Sequence, residues 1–219
     1  MNSHGIAFSV ETRPSDSPGI EAVWRSRSDA GGWFTSLAES HWELVFTKTK
    51  GRLTCTVRGP ETKALRLPVP DDAEFMGIVF KHGYFMPRLA VRDLVNADLN
   101  LPDASALRFR LDGQAWSYPD FHNADTFGDR LLRQEVVICD PIVQAALQGQ
   151  PGVVSPRSIQ RRLLHATGLS LRTLRQIERA RHALALQQFR AEKMPPGATT
   201  LETFADFRDW KASRPDEAE

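Results

Sequence analysis

The chain has 219 residues, of which 41% are hydrophobic and 25% charged, with a net charge of +1 at pH 7. That is one large domain or two small ones of ordinary globular composition, long enough to bury a real core. Two cysteines far apart, Cys55 and Cys139, exclude a disulfide framework or a zinc knuckle. The apolar run "FMGIVF" at Phe75–Phe80 is far too short to cross a bilayer. No charged segment followed by an apolar core opens the chain, so a signal peptide is not expected. The expectation is a cytoplasmic protein with reduced thiols and no membrane partner.

The first twenty residues are rich in Ser, Pro and Gly. From Ile20 the pattern turns to strands. "HWELVFTKTKGRLTCTVRG" predicts a hairpin: Leu53, Cys55 and Val57 point one way, Arg52, Thr54, Thr56 and Arg58 the other. Gly51 suits the turn because it accepts a positive φ. "KALRLPVP" and "AEFMGIVFKHG" continue the series, and Pro68 and Pro70 bound the first of these or place it on an edge. A short helix is expected over Arg88–Val95, with Pro87 near its start. "LRFRLDGQAWSYP" alternates again, with Leu107, Phe109 and Leu111 on one face. Beyond Pro119 the pattern becomes helical. Asn123 or Asp125 opens one helix. Asp140 caps a second, with Pro141 first inside, Gly149 past its end, and Ile142, Ala145 and Ala146 on one face.

Charge then concentrates. Residues 151–190 hold eight arginines, no lysine and one acid, Glu178, for a net of +7, while residues 1–150 and 191–219 each sum to −3. A basic block between acidic ones points to an anionic partner. Ser155-Pro156 predicts a helix start. Ile159 and Leu163, four apart, share the face that anchors it. Gly168 ends it, and Ser170 caps a longer helix running to about Arg190. That helix has Leu171, Leu174, Ile177, Ala180 or Arg181, and Leu184 near a 3.6 period. Arg157, Gln160 and Arg161 fall on exposed sides. An α-helix fits the major groove of DNA, where Arg bonds guanine and Gln bonds adenine. Arg172, Arg175, Arg179 and Arg181 suit phosphates, which position without specifying.

The stretch "VSPRSIQRRLLHATGLSLRTLRQIERARHALAL" resembles the first helix-turn-helix and linker helix of the AraC/XylS transcription regulators. "DPIVQAALQGQPGVVS" sits where that family has its scaffold helix and turn. "GIVFKHGYFMPRLAVRDLVNADLNLP" resembles part of the N-terminal domain of some members. The resemblance implies an α+β chain: an antiparallel β-rich, cupin-like N-terminal domain over residues 1–120, then an all-α helix-turn-helix domain over 121–190, then an atypical acidic tail over 191–219. It implies base reading by Arg157, Gln160 and Arg161. Ser158, Arg162, Ser170, Arg172 and Arg175 become phosphate contacts. The partners implied are double-stranded DNA, an unidentified small-molecule effector and a second copy in a homodimer. The family's second helix-turn-helix is not matched: "FADFRDW", with Phe204, Phe207 and Trp210 at i, i+3 and i+6, is no recognition helix. The expectation is therefore a regulator truncated or altered in its second reading head. The alternative is a ligand-binding or dimerising module that has lost autonomous operator binding.

His41 and Glu43 share a strand face, with His82 and His122 as further candidate ligands, but their spacing fits no metal motif and no metal or cofactor is expected. Trp24, Trp42, Phe80 and Trp116 are candidates for a ligand pocket, although such residues are more often core. No catalytic fingerprint is present, and enzymatic activity is not expected.

Overall fold

Alternating apolar side chains build the first two thirds of the chain into antiparallel strands. The computed structural model describes residues 10–193 except 151 and 153. The strands in chain order are β1 (Val10–Pro14), β2 (Ile20–Ser28), β3 (Gly32–Ser36), β4 (Glu43–Thr49), β5 (Arg52–Arg58), β6 (Leu65–Val69), β7 (Ala73–Phe80) and β8 (Tyr84–Phe85). A single 3-10 turn, Val91–Leu94, then precedes β9 (Asp98–Asn100), β10 (Asp103–Ser105), β11 (Arg108–Leu111) and β12 (Gln114–Ser117). The remainder is α1 (Ala124–Arg133), β13 (Ile138–Cys139), α2 (Pro141–Leu147), α3 (Pro156–Thr167) and α4 (Leu171–Lys193).

Six strands form the main sheet in the order β1-β2-β7-β4-β5-β9, every neighbouring pair antiparallel. The expected hairpin is β4–β5, with Cys55 and Val57 buried and Gly51 at φ +77° in its turn. Among the described residues β6 stays outside this sheet and pairs with β3, Pro68 lying opposite Trp33. A proline has no N–H to give a central ladder, so its strand belongs at an edge. Gly77 in β7 has a different reason: the Trp24 indole crosses its backbone, and a β-carbon there would lie 2.0 Å from Trp24 Nε1.

Two local expectations change. The helix placed at Arg88–Val95 is only the four-residue 3-10 turn. Pro87 and the extended Ala90 leave too little chain for more. Leu107 does not share the face of Phe109 and Leu111; it precedes β11 and is 71% exposed, while those two are buried.

The larger correction concerns the fold class. The chain is mostly β-sheet with four helices after the strands, and no separate all-α helix-turn-helix domain forms among the described residues. One continuous hydrophobic core runs from Ile20, Leu44 and Ile78 in the sheet, through Phe85, Met86, Val91 and Leu94, to Leu163, Ala166, Leu169, Leu174 and Ile177. α1 closes the sheet, Phe127 meeting Phe46 and Trp116 edge to face at 5.9 and 5.7 Å. α3 and α4 are amphipathic but have no core of their own. The buried stripe of α3 is completed by the segment around the 3-10 turn, by β8 and by α2, and Leu174 and Ile177 of α4 join the same core. Helices whose apolar faces are satisfied by a sheet-bearing body belong to that body.

Candidate functional site

Local capping places α3. Ser155 Oγ accepts the Ser158 N–H at 3.3 Å, and Pro156 fills the first helical position. Leu163, Ala166 and Thr167 are buried, and Ile159 is half-buried. Thr167 Oγ1 donates to the Leu163 carbonyl at 2.8 Å and accepts the Leu169 N–H at 3.2 Å. Gly168 between them has φ +72°, and a β-carbon there would meet the Arg92 backbone at 3.0 Å and Val95 at 2.9 Å. The turn is therefore pressed against the 3-10 segment and needs glycine twice over. Ser170 Oγ then accepts the Thr173 N–H at 3.1 Å and starts α4.

With that face fixed inward, Arg157, Gln160, Arg161, Leu164 and His165 are exposed. Among the described residues neither Arg157 nor Arg161 makes an ion pair. Arg172, Arg175 and Arg179 are likewise exposed on the outward side of α4. The three residues expected to read bases are thus neighbours on one open face.

The other expected contacts divide. Arg162 is bound within the protein: it donates to Asp140 Oδ2 at 2.8 Å. The other oxygen of Asp140 caps α2 by accepting Ile142 and Val143 N–H at 3.0 and 3.3 Å. Asp140 thereby ties the start of α2 to the middle of α3, a role that spacing alone does not reveal. Ser158 and Ser170 are half-buried, and both sit in cap structures. Arg181 is also bound within the protein: it donates to the Ala38 carbonyl at 3.0 Å and pairs with Glu39 at 2.9 Å.

Glu39 accepts further hydrogen bonds from Ser40 N–H and His41 N–H at 2.7 and 3.1 Å, and lies 2.7 Å from His41 Nδ1. Burial pushes its carboxyl upward, but the His41 bond and the charges of His41 and Arg181 prevail and hold it down to about 2. His41 stacks on His82 with centroids 3.8 Å apart. Burial, aided by the neighbouring His41 charge, lowers His82 to about 3. Glu43 belongs to a second group with Trp24, Arg58 and Glu61. Its pKa is raised, chiefly by burial, against the pull of Arg58 and the Trp24 bond. Among the described residues no three His, Cys, Asp or Glu side chains gather as a metal would require. His122 is exposed beside α1, away from this cluster.

The expected pocket residues are packing residues. Trp42 stacks flat on Phe80 at 4.1 Å, and both are buried. Trp116 is 1% exposed, its Nε1 donating to the Leu111 carbonyl at 3.1 Å. Trp24 donates to Glu43 at 2.8 Å. A concavity lies elsewhere, an open groove of about 1420 Å³ along α3. Phe85, Ile138, Pro141, Ile142 and Leu164 supply its apolar lining, with Arg157 and Arg161 among its polar groups.

No family model matches the chain, and no curated protein or solved structure matches it. No helix among the described residues is long and apolar enough to cross a membrane.

Proposed function

We propose that the protein binds double-stranded DNA through the outward face of α3, with α4 supplying phosphate contacts, and acts as a transcription regulator. One observation carries this reading: Arg157, Gln160 and Arg161 stand together, exposed and without an acidic partner among the described residues, on a helix whose other side is locked down. Guanidinium and carboxamide groups are the side chains that make bidentate bonds to guanine and adenine edges. Arg172, Arg175 and Arg179 extend the cationic surface along α4. Arg162 and Arg181 are left out of the contact set, because each is already paired with a carboxylate. Selection of bound sequences from a random duplex pool tests the reading. The wild type is expected to enrich a motif, and Arg161→Ala to relax it at one position by about 1–3 kcal/mol. An unenriched pool, or the same motif with the variant, overturns it.

A second reading, a dimerising module, is favoured by Trp33, Phe34 and Leu37, which are 50%, 39% and 45% exposed on and beside β3. Sedimentation at several concentrations separates the two: dimers without sequence-selective DNA binding favour the module.

A further inference from the structure

Trp42, Phe80 and Trp116, expected to line a ligand pocket, are buried in the core, whereas the groove along α3 offers about 1420 Å³ of open space. Its floor is apolar. Phe85 is buried, Ile138 and Ile142 are half-buried, and Leu164 is 39% exposed beside them. Its rim is cationic. Arg157 and Arg161 stand one helical turn apart on one face of α3, close enough to converge on a single anion. Among the described residues neither has an acidic partner. Arg92 adds a third positive charge to the lining, and its own acidic partner is the exposed Asp93, 3.4 Å away. Asp140, the acid of this lining, is engaged elsewhere: Arg162 holds one of its oxygens and the first N–H groups of α2 the other.

We propose that this groove binds an apolar organic anion, its body on Ile138, Ile142 and Leu164 and its charged head between Arg157 and Arg161. Small-molecule sites combine a mostly apolar lining with a few polar groups that fix orientation. Guanidinium groups donate parallel N–H···O bonds to a carboxylate or to a phosphate ester alike, so the anionic head is the shared chemistry. A neutral apolar molecule leaves both arginines without a counter-charge. An inorganic anion leaves the apolar floor in water. The site also has a regulatory consequence. If α3 reads DNA as proposed above, the anion and DNA need the same two arginines and exclude each other; this consequence rests on that reading, whereas the binding of the anion does not.

Calorimetry on the full chain with naphthoate, naphthyl phosphate, neutral naphthamide and inorganic phosphate tests the site. At least one of the two apolar anions is expected to bind saturably, about tenfold more tightly than naphthamide or inorganic phosphate; the tighter of the two names the head group. Arg157→Ala with Arg161→Ala is expected to erase the preference over naphthamide, and Leu164→Ser to weaken the anion severalfold. Cys139 lines the groove and is partly exposed, whereas Cys55 is fully buried, so alkylation of the native protein reports on Cys139. At about ten times its Kd, the anion is expected to slow that alkylation about tenfold and to weaken DNA binding by a similar factor. No saturable binding, equal affinity for the anions and naphthamide, a preference that survives loss of both arginines, or binding that leaves Cys139 unprotected overturns the site. If the anion binds and protects Cys139 as expected but leaves DNA affinity unchanged, the site stands and the reading of DNA by Arg157 and Arg161 falls.

Discussion

Arg161 and Arg162 are adjacent in sequence and opposite in circumstance. Arg162 bonds the Asp140 carboxylate, whose burial makes an unpaired charge costly. Arg162→Ala is expected to lower stability by about 1–3 kcal/mol in urea titrations. Arg161→Ala is expected to leave the midpoint unchanged, because the side chain is exposed and pairs with no described residue. Equal effects would show that the outward face of α3 is not free. Gly168 gives a second contrast. Its φ of +72° and the close Arg92 backbone make Gly168→Ala strained by about 1–2 kcal/mol from conformation alone, with the steric contact in addition. A Gly168→Ala protein as stable as the wild type would mean that the turn is not held against the 3-10 segment.

At the scale of elements, α4 is fastened to the strand-bearing body by apolar contacts at Leu174 and Ile177 and by Arg181 on Glu39. The second fastening depends on pH. Glu39 is depressed from its ordinary 4.5 to about 2, so its stabilisation is present above 4.5 and is lost as pH falls toward 2. His82, lowered from 6.5 to about 3, stays neutral in the folded protein while the unfolded chain takes up its proton. Stability therefore also falls as pH drops from 6.5 toward 3. The urea midpoint is expected to decline from pH 7 to pH 4, and His82→Gln to flatten the part of the decline between 6.5 and 4.5. A midpoint indifferent to pH over that range would contradict the Glu39–His41–His82 geometry.

Most of these elements are legible in the sequence. Ser155-Pro156, Asp140-Pro141 and Gly168 act locally, and the structure places caps and a left-handed turn there. The β4–β5 hairpin follows from strict alternation between Leu53 and Arg58. What spacing could not supply is pairing at a distance. Nothing in the sequence near Arg181 points to Glu39, 142 positions earlier. Nothing near Arg162 distinguishes it from Arg161 until Asp140 is seen beside it. The aromatic residues show the same limit: Trp42, Phe80 and Trp116 look alike as core or pocket, and only their burial decides.

For the whole molecule, the decisive feature is the single core from Ile20 to Ile177. Leu163 of α3 and Leu174 of α4 belong to the same core as Val91, Leu94 and Phe85, so the basic helices and the sheet are expected to unfold together. Helix loss by far-UV circular dichroism and core exposure by tryptophan fluorescence should coincide in urea. Two separated transitions would restore the independent helical domain that the packing argues against.

The central claim is that the outward face of α3 meets DNA. Fluorescence anisotropy with a labelled duplex, repeated across salt concentrations, tests it most directly. Binding is expected at low salt and to weaken as salt rises, with a log–log slope of about −0.9 per phosphate contact. Arg157→Ala with Arg161→Ala should weaken it by at least about tenfold at unchanged stability. Absence of binding at low salt, or affinity that the double change leaves intact, would contradict it.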